Sequence, residues 1–81
     1  MSQKTEIESE VLKIISKQLE LPTNKINNET SIKNTPQWDS INHVRLVLSL
    51  QERFKIIFDN SEIANLTNIK KIINTIEKKT N

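Results

Sequence analysis

The stretch Trp38-Asp39-Ser40-Ile41, with the helix it opens, constrains this chain more than any other feature. Asp39 or Ser40 is a natural N-cap, and an apolar-periodic run starts directly after it and continues to about Phe54. Set out at about 100° per residue, that run presents two apolar faces. Leu46, Val47, Leu50 and Phe54 share the first, and Ile41, Val44 and Leu48 form a second stripe at i, i+3, i+7. Asn42, Arg45, Ser49, Glu52 and Arg53 make the polar side. A small domain needs one face for its core, here centred on Leu50 and Phe54. The second stripe, starting beside a serine at a helix N-terminus, asks for a function.

The rest of the chain supplies what that helix packs against. Ile7, Val11, Leu12, Ile14, Ile15 and Leu19 trace one amphipathic face, which predicts a helix over about residues 6–19 with a capping box at Thr5 and Glu8. Pro22 stops it. Residues 21–37 hold Pro22, Pro36 and four asparagines and read as a long loop, which Leu21, Ile26 and Ile32 can pin across a bundle. After the central helix, Lys55-Ile56-Ile57-Phe58 has no second strand to pair with and reads as an extended connector. Asp59-Asn60-Ser61 caps a short helix near 61–65, and Thr67 is the expected cap of a last helix carrying Ile69, Ile72, Ile73 and Ile76. The expected fold is all-α: a small four-helix bundle of three main helices and one short one, with a long loop between the first two. A single domain is expected over 1–81.

Composition narrows the chemistry. With 81 residues and no Cys, stability rests on packing alone, and thiolate metal sites are excluded. The absence of Gly argues against a phosphate-cradling loop and against turns at positive φ. A net charge of +2, concentrated at Lys70, Lys71, Lys78 and Lys79 with no interleaved aromatics, fits a solvated helix face better than a nucleic-acid track. No apolar run is longer than Leu46-Val47-Leu48, so no membrane span is expected. Met1-Ser2-Gln3-Lys4-Thr5-Glu6 is followed by no secretory h-region, which makes the cytoplasm the expected compartment. The expected state is a monomer.

A serine at a helix start is ordinarily just a cap. Asp39 can take that role and leave the Ser40 hydroxyl free. A phosphate ester there would meet exposed backbone N–H groups and the positive end of the helix dipole, and Asp39 could contact Mg²⁺ during a phosphoryl-type transfer. No permanent metal site is expected. One His and no oxyanion-hole motif leave no serine triad to assemble, so no catalytic residue is assigned. His43 falls on the core-facing arc, where a packed, hydrogen-bonded histidine is the simpler reading.

Asp39-Ser40-Ile41, then Val44, Leu46, Val47, Leu50, Glu52 and Phe54, then Phe58, Leu66-Thr67 and Ile69, Ile72, Ile73 and Ile76, resembles the acyl carrier protein family over nearly the whole chain. The resemblance implies a carrier and not an enzyme. It would hold acyl or aminoacyl intermediates as thioesters on a 4′-phosphopantetheine arm, attached to Ser40 by a phosphopantetheinyl transferase from coenzyme A, with Asp39 assisting. Acyl-loading and acyl-transferring enzymes are the implied partners, docking on Trp38, Ile41, Val44, Arg45 and Leu48. Positions matching the family's acyl pocket are Leu50, Phe58, Ile63, Leu66, Ile72 and Ile76. Phe58 and Ile63 are bulky for that lining, which points to a short or polar cargo.

Carriers for fatty acid synthesis resemble one another in a strongly acidic second helix, whereas Glu52 is the one acid from 40 to 53 here. Trp38 and Arg45 look more like carriers dedicated to specialised pathways. Two other readings fit the same residues. One is an unmodified helical adaptor binding proteins through Ile41, Val44 and Leu48. The other is a helix-turn-helix nucleic-acid binder, whose recognition helix would put Ile, Val and Leu, poor base readers, into the groove.

Overall fold

A computed structural model describes residues 3–27 and 29–80, with side chains from Glu6 onward. It is an all-α four-helix bundle: α1 Gln3–Leu19, α2 Ser40–Phe54, the short α3 Asn60–Asn65 and α4 Ile69–Thr80. α1 packs against both α2 and α4. It buries Ile7, Val11, Ile15 and Leu19, with Leu12 and Ile14 at the margin. α2 contributes Leu46, Val47 and Leu50, and α4 contributes Ile69, Ile72, Ile73 and Ile76. The α1 start lies earlier than the sequence suggests. Gln3 is already helical, so Thr5 is inside the helix, and the side chain expected to cap it lies outside the described residues.

Local chemistry sets most of the boundaries. The Asp39 carboxylate accepts the Asn42 N–H at 2.8 Å and starts α2. At α3, Asp59 accepts from the Glu62 N–H (2.7 Å) while the Glu62 side chain accepts from the Asp59 N–H (2.9 Å), a reciprocal capping box. α4 corrects the expected cap. Asn68, not Thr67, receives the Lys71 N–H at 2.8 Å: α4 begins at Ile69, which puts Asn68 at the cap position, and the Thr67 carbonyl accepts from Ile32 in the long loop.

The helix ends correct a second expectation. Despite the absence of glycine, Glu20 (φ 56) and Lys55 (φ 55) both sit in the left-handed region. Each allows the following amide to reach back into the last turn, Leu21 N–H to Ser16 O at 3.0 Å and Ile56 N–H to Gln51 O at 3.1 Å. Satisfying those orphan carbonyls outweighs the steric cost of a Cβ at positive φ, about 1–2 kcal/mol per residue.

The long loop is more structured than its composition suggests. It contains 3₁₀ turns at Thr23–Lys25 and Ile32–Asn34. The Asn34 side chain accepts from the Ser31 N–H and the Thr35 hydroxyl and donates to the Glu29 carbonyl. Ile26 is buried, and Leu21 and Ile32 pack at the margin. The decisive anchor is non-local. Ile32 N–H bonds Thr67 O at 3.0 Å and Ile69 N–H bonds Thr30 O at 3.1 Å, an isolated antiparallel bridge that ties the loop to the α3–α4 junction.

Candidate functional site

Ser40 is the first residue of α2 and is exposed. Asp39 performs the capping, so the serine hydroxyl is not needed for it. In the first helical turn the amides of Ser40 and Ile41 have no intrahelical acceptor, and they face the same end as the hydroxyl. That donor set, with the positive end of the α2 dipole behind it, suits a phosphate ester on Ser40. Among the described residues, no group of three acidic or histidine side chains converges to hold a metal ion.

Two surfaces of opposite character flank Ser40. On one side an open groove of about 430 Å³ lies between the end of α1 and the start of α2, lined by polar groups including Lys17, Glu20, Gln37, Asp39, Asn42 and Arg45. Asn42 is held there by donating to the Gln37 carbonyl at 2.8 Å. On the other side the stripe of Ile41, Val44 and Leu48 stands in solvent, each residue at least 57% exposed. Arg45 beside it is also exposed, and among the described residues it is in no ion pair.

Trp38 does not belong to that surface. It is 1% exposed and among the largest fully buried side chains, which removes it from the expected docking residues. A large, rigid aromatic with one N–H is stable in a core when that N–H finds a partner. Here Nε1–H donates to His43 Nδ1 at 3.1 Å. With Nδ1 accepting, the proton is on Nε2, which donates to the Ile63 carbonyl of α3 at 2.9 Å. His43 is therefore the packed, fully bonded histidine its position suggests.

The six residues matched to an acyl pocket are brought together. Leu50, Phe58, Leu66, Ile72 and Ile76 are buried in one cluster, and Ile63 packs against it. Phe54 is not the core centre expected of it. It is half-buried at the far end of α2, in a recess of about 200 Å³ shared with Glu6, Ile7, Glu10, Arg53 and Thr80, and the Arg53 guanidinium lies 5.8 Å from its ring centre. Ile57, outside the docking residues that the sequence suggests, is 80% exposed. Strict alternation in an extended segment would have found it, since Ile56 and Phe58 turn inward and the residue between must turn out. The Gln51 side chain accepts the Phe58 N–H at 2.9 Å and holds this segment against α2.

The family model described as "Phosphopantetheine attachment site" matches residues 9–76, a span that runs from α1 to α4 and includes Asp39-Ser40-Ile41. An acyl carrier protein of Buchnera aphidicola subsp. Baizongia pistaciae is 36% identical over 72 residues, covering 89% of this chain and 92% of its own length. The chain belongs to the acyl carrier protein family. An acyl carrier protein of Buchnera aphidicola subsp. Acyrthosiphon pisum is 33% identical over 73 residues (90% of this chain, 91% of that protein). One of Campylobacter concisus is 30% identical over 69 residues (85% and 90%). Acyl carrier proteins are carriers and not enzymes, their prosthetic group is a covalently attached 4′-phosphopantetheine, and they work with a phosphopantetheinyl transferase and acyl-handling enzymes. Among the described residues of this acyl carrier protein, no helix is long and apolar enough to cross a membrane.

Proposed function

We propose that Ser40 carries the 4′-phosphopantetheine arm and that the chain, as a single domain, delivers a short or polar acyl or aminoacyl group in a dedicated cytoplasmic pathway. The observation that carries the reading is the division of labour at the start of α2. Asp39 caps the helix, so the exposed hydroxyl next to it can be esterified without loss of structure. The free amides of the first turn favour the phosphate that results. One oxygen of Asp39 is used in the cap, and the other is available to a Mg²⁺ that also binds coenzyme A phosphates during loading. When attached, the arm supplies a thiol that holds cargo as a thioester.

Partner enzymes meet the exposed stripe Ile41, Val44 and Leu48, with Arg45 beside it, and Ile57 past the end of α2 is a further exposed apolar residue. α2 presents Arg45 and Arg53, with Lys55 just past its end, against Glu52 alone, so this surface lacks the acidic charge that would steer it toward basic partners. The test is intact mass after co-expression with a broad-specificity phosphopantetheinyl transferase. The wild type is expected to gain one arm and Ser40→Ala none, with its helical circular dichroism unchanged. An arm on another serine, or none on the wild type, defeats the reading. An unmodified wild type that still binds partners through the stripe would favour the adaptor.

A further inference from the structure

An acyl group tethered at Ser40 has two apolar destinations, the exposed stripe that begins at Ile41 and the interior behind the α2–α3 seam. Nearest Ser40, that seam is tied by His43, one turn after it, which bonds the Ile63 carbonyl of α3, while Trp38, two residues before it, donates to the same His43 ring. We propose that Trp38 and His43 are cargo-specificity residues that seal this seam with a hydrogen-bonded aromatic plug and so hold the cargo outside the bundle. The inference rests on Ser40 as the attachment point.

The plug is both steric and polar. The indole is 1% exposed and takes up core volume that an incoming chain would need. Interiors are close-packed, so added methylenes force side chains off their preferred rotamers. Entry would also part His43 from the Ile63 carbonyl and leave the Trp38 Nε1–H without its acceptor. Among the described residues every buried side-chain polar atom now has a partner, so the intrusion would create unpaired groups where there are none. Ile41, Val44 and Leu48 offer apolar contact outside at no such cost. A short or polar group loses nothing by staying there, whereas a long chain remains partly in water. The discrimination is thus against long aliphatic cargo.

Trp38 is the only tryptophan of the chain, so it reports on its own displacement. Ser40 is charged by a broad-specificity transferase with acetyl-, butyryl-, octanoyl- or dodecanoyl-4′-phosphopantetheine from the matching acyl-coenzyme A, adenosine 3′,5′-bisphosphate leaving, and loading is checked by intact mass. The wild type is expected to keep the same emission maximum, and a Tm constant within about 1 °C, across the series. In Trp38→Leu, Tm should climb by roughly 5 °C or more per added pair of methylenes as the opened seam shelters the chain. His43→Ala, which removes the bond to α3, serves if Trp38→Leu does not melt cooperatively. An emission shift and rising Tm in the loaded wild type would overturn the proposal, as would variants as flat as the wild type. Failure to load Ser40 would instead overturn the attachment reading, and this inference with it.

Discussion

On α2, Leu46, Val47 and Leu50 are buried, whereas Ile41, Val44 and Leu48 on the same helix are more than half exposed. The two stripes have almost the same composition and each keeps to one side of the helix, so hydrophobicity alone cannot have chosen between them. The choice follows from what stands opposite. α1 packs on α2 and shares the core with α4, and their apolar faces meet the side that holds residues 46, 47 and 50. Among the described residues, bonds that fit that rotation include Arg53 to Glu10 of α1 at 3.0 Å and His43 to Ile63 of α3 at 2.9 Å. An exposed stripe that the fold does not use can be kept for association, and a carrier that must visit several enzymes requires one.

The sharpest test compares neighbours on the helix. Leu50→Ala should cost about 2–5 kcal/mol in urea melts, while Leu48→Ala should stay within about 0.5 kcal/mol of wild type. Equal costs would erase the distinction between the stripes. Val44→Asp should raise KM for phosphopantetheinylation by about tenfold or more with an unchanged melt, as expected of an interface anchor that the core does not need. Phe54 lies between the two cases. Its half-buried ring should make Phe54→Ala cost about 1–3 kcal/mol, less than full burial of a Phe would imply.

A smaller gain is expected where α2 ends. Lys55→Gly should stabilise the domain by about 0.5–1 kcal/mol, because glycine adopts the observed φ of 55° without a Cβ clash. The weakest effect concerns two ion pairs between helices. The side-chain hydrogen bond and charge of Arg53 hold the Glu10 carboxyl below its ordinary value, and Lys79 at 2.9 Å, with the Asp59 N–H, does the same for Glu62. A carboxylate lowered in the folded state stabilises it above the ordinary carboxylate pKa and loses that contribution as pH falls through the lowered value. Tm should therefore decline slightly more between about pH 5 and pH 3 in the wild type than in a Glu10→Gln/Glu62→Gln double variant. The same slope in both would mean that the pairs contribute nothing.

What the sequence determined by itself is local. Apolar spacing of three and four residues located α1, α2 and α4, because helical periodicity is visible in neighbouring residues alone. Asp39 and Asp59 marked helix starts because a short carboxylate reaches amides only two or three residues on. The Asp39-Ser40-Ile41 motif and the exposed stripe were legible for the same reason, as was the family. Tertiary structure decided whatever depends on partners far along the chain. Trp38 became core because His43 offers its N–H an acceptor and Ile63 of α3 completes the chain of bonds. Phe54 is only half-buried because it lies one turn beyond Leu50, at the end of α2. Asn68 replaced Thr67 as a cap, and the long loop found its anchor, through one bridge that joins residues 30–32 to residues 67–69. A backbone hydrogen bond between segments that distant leaves no mark on side-chain periodicity, so only the folded chain reveals it.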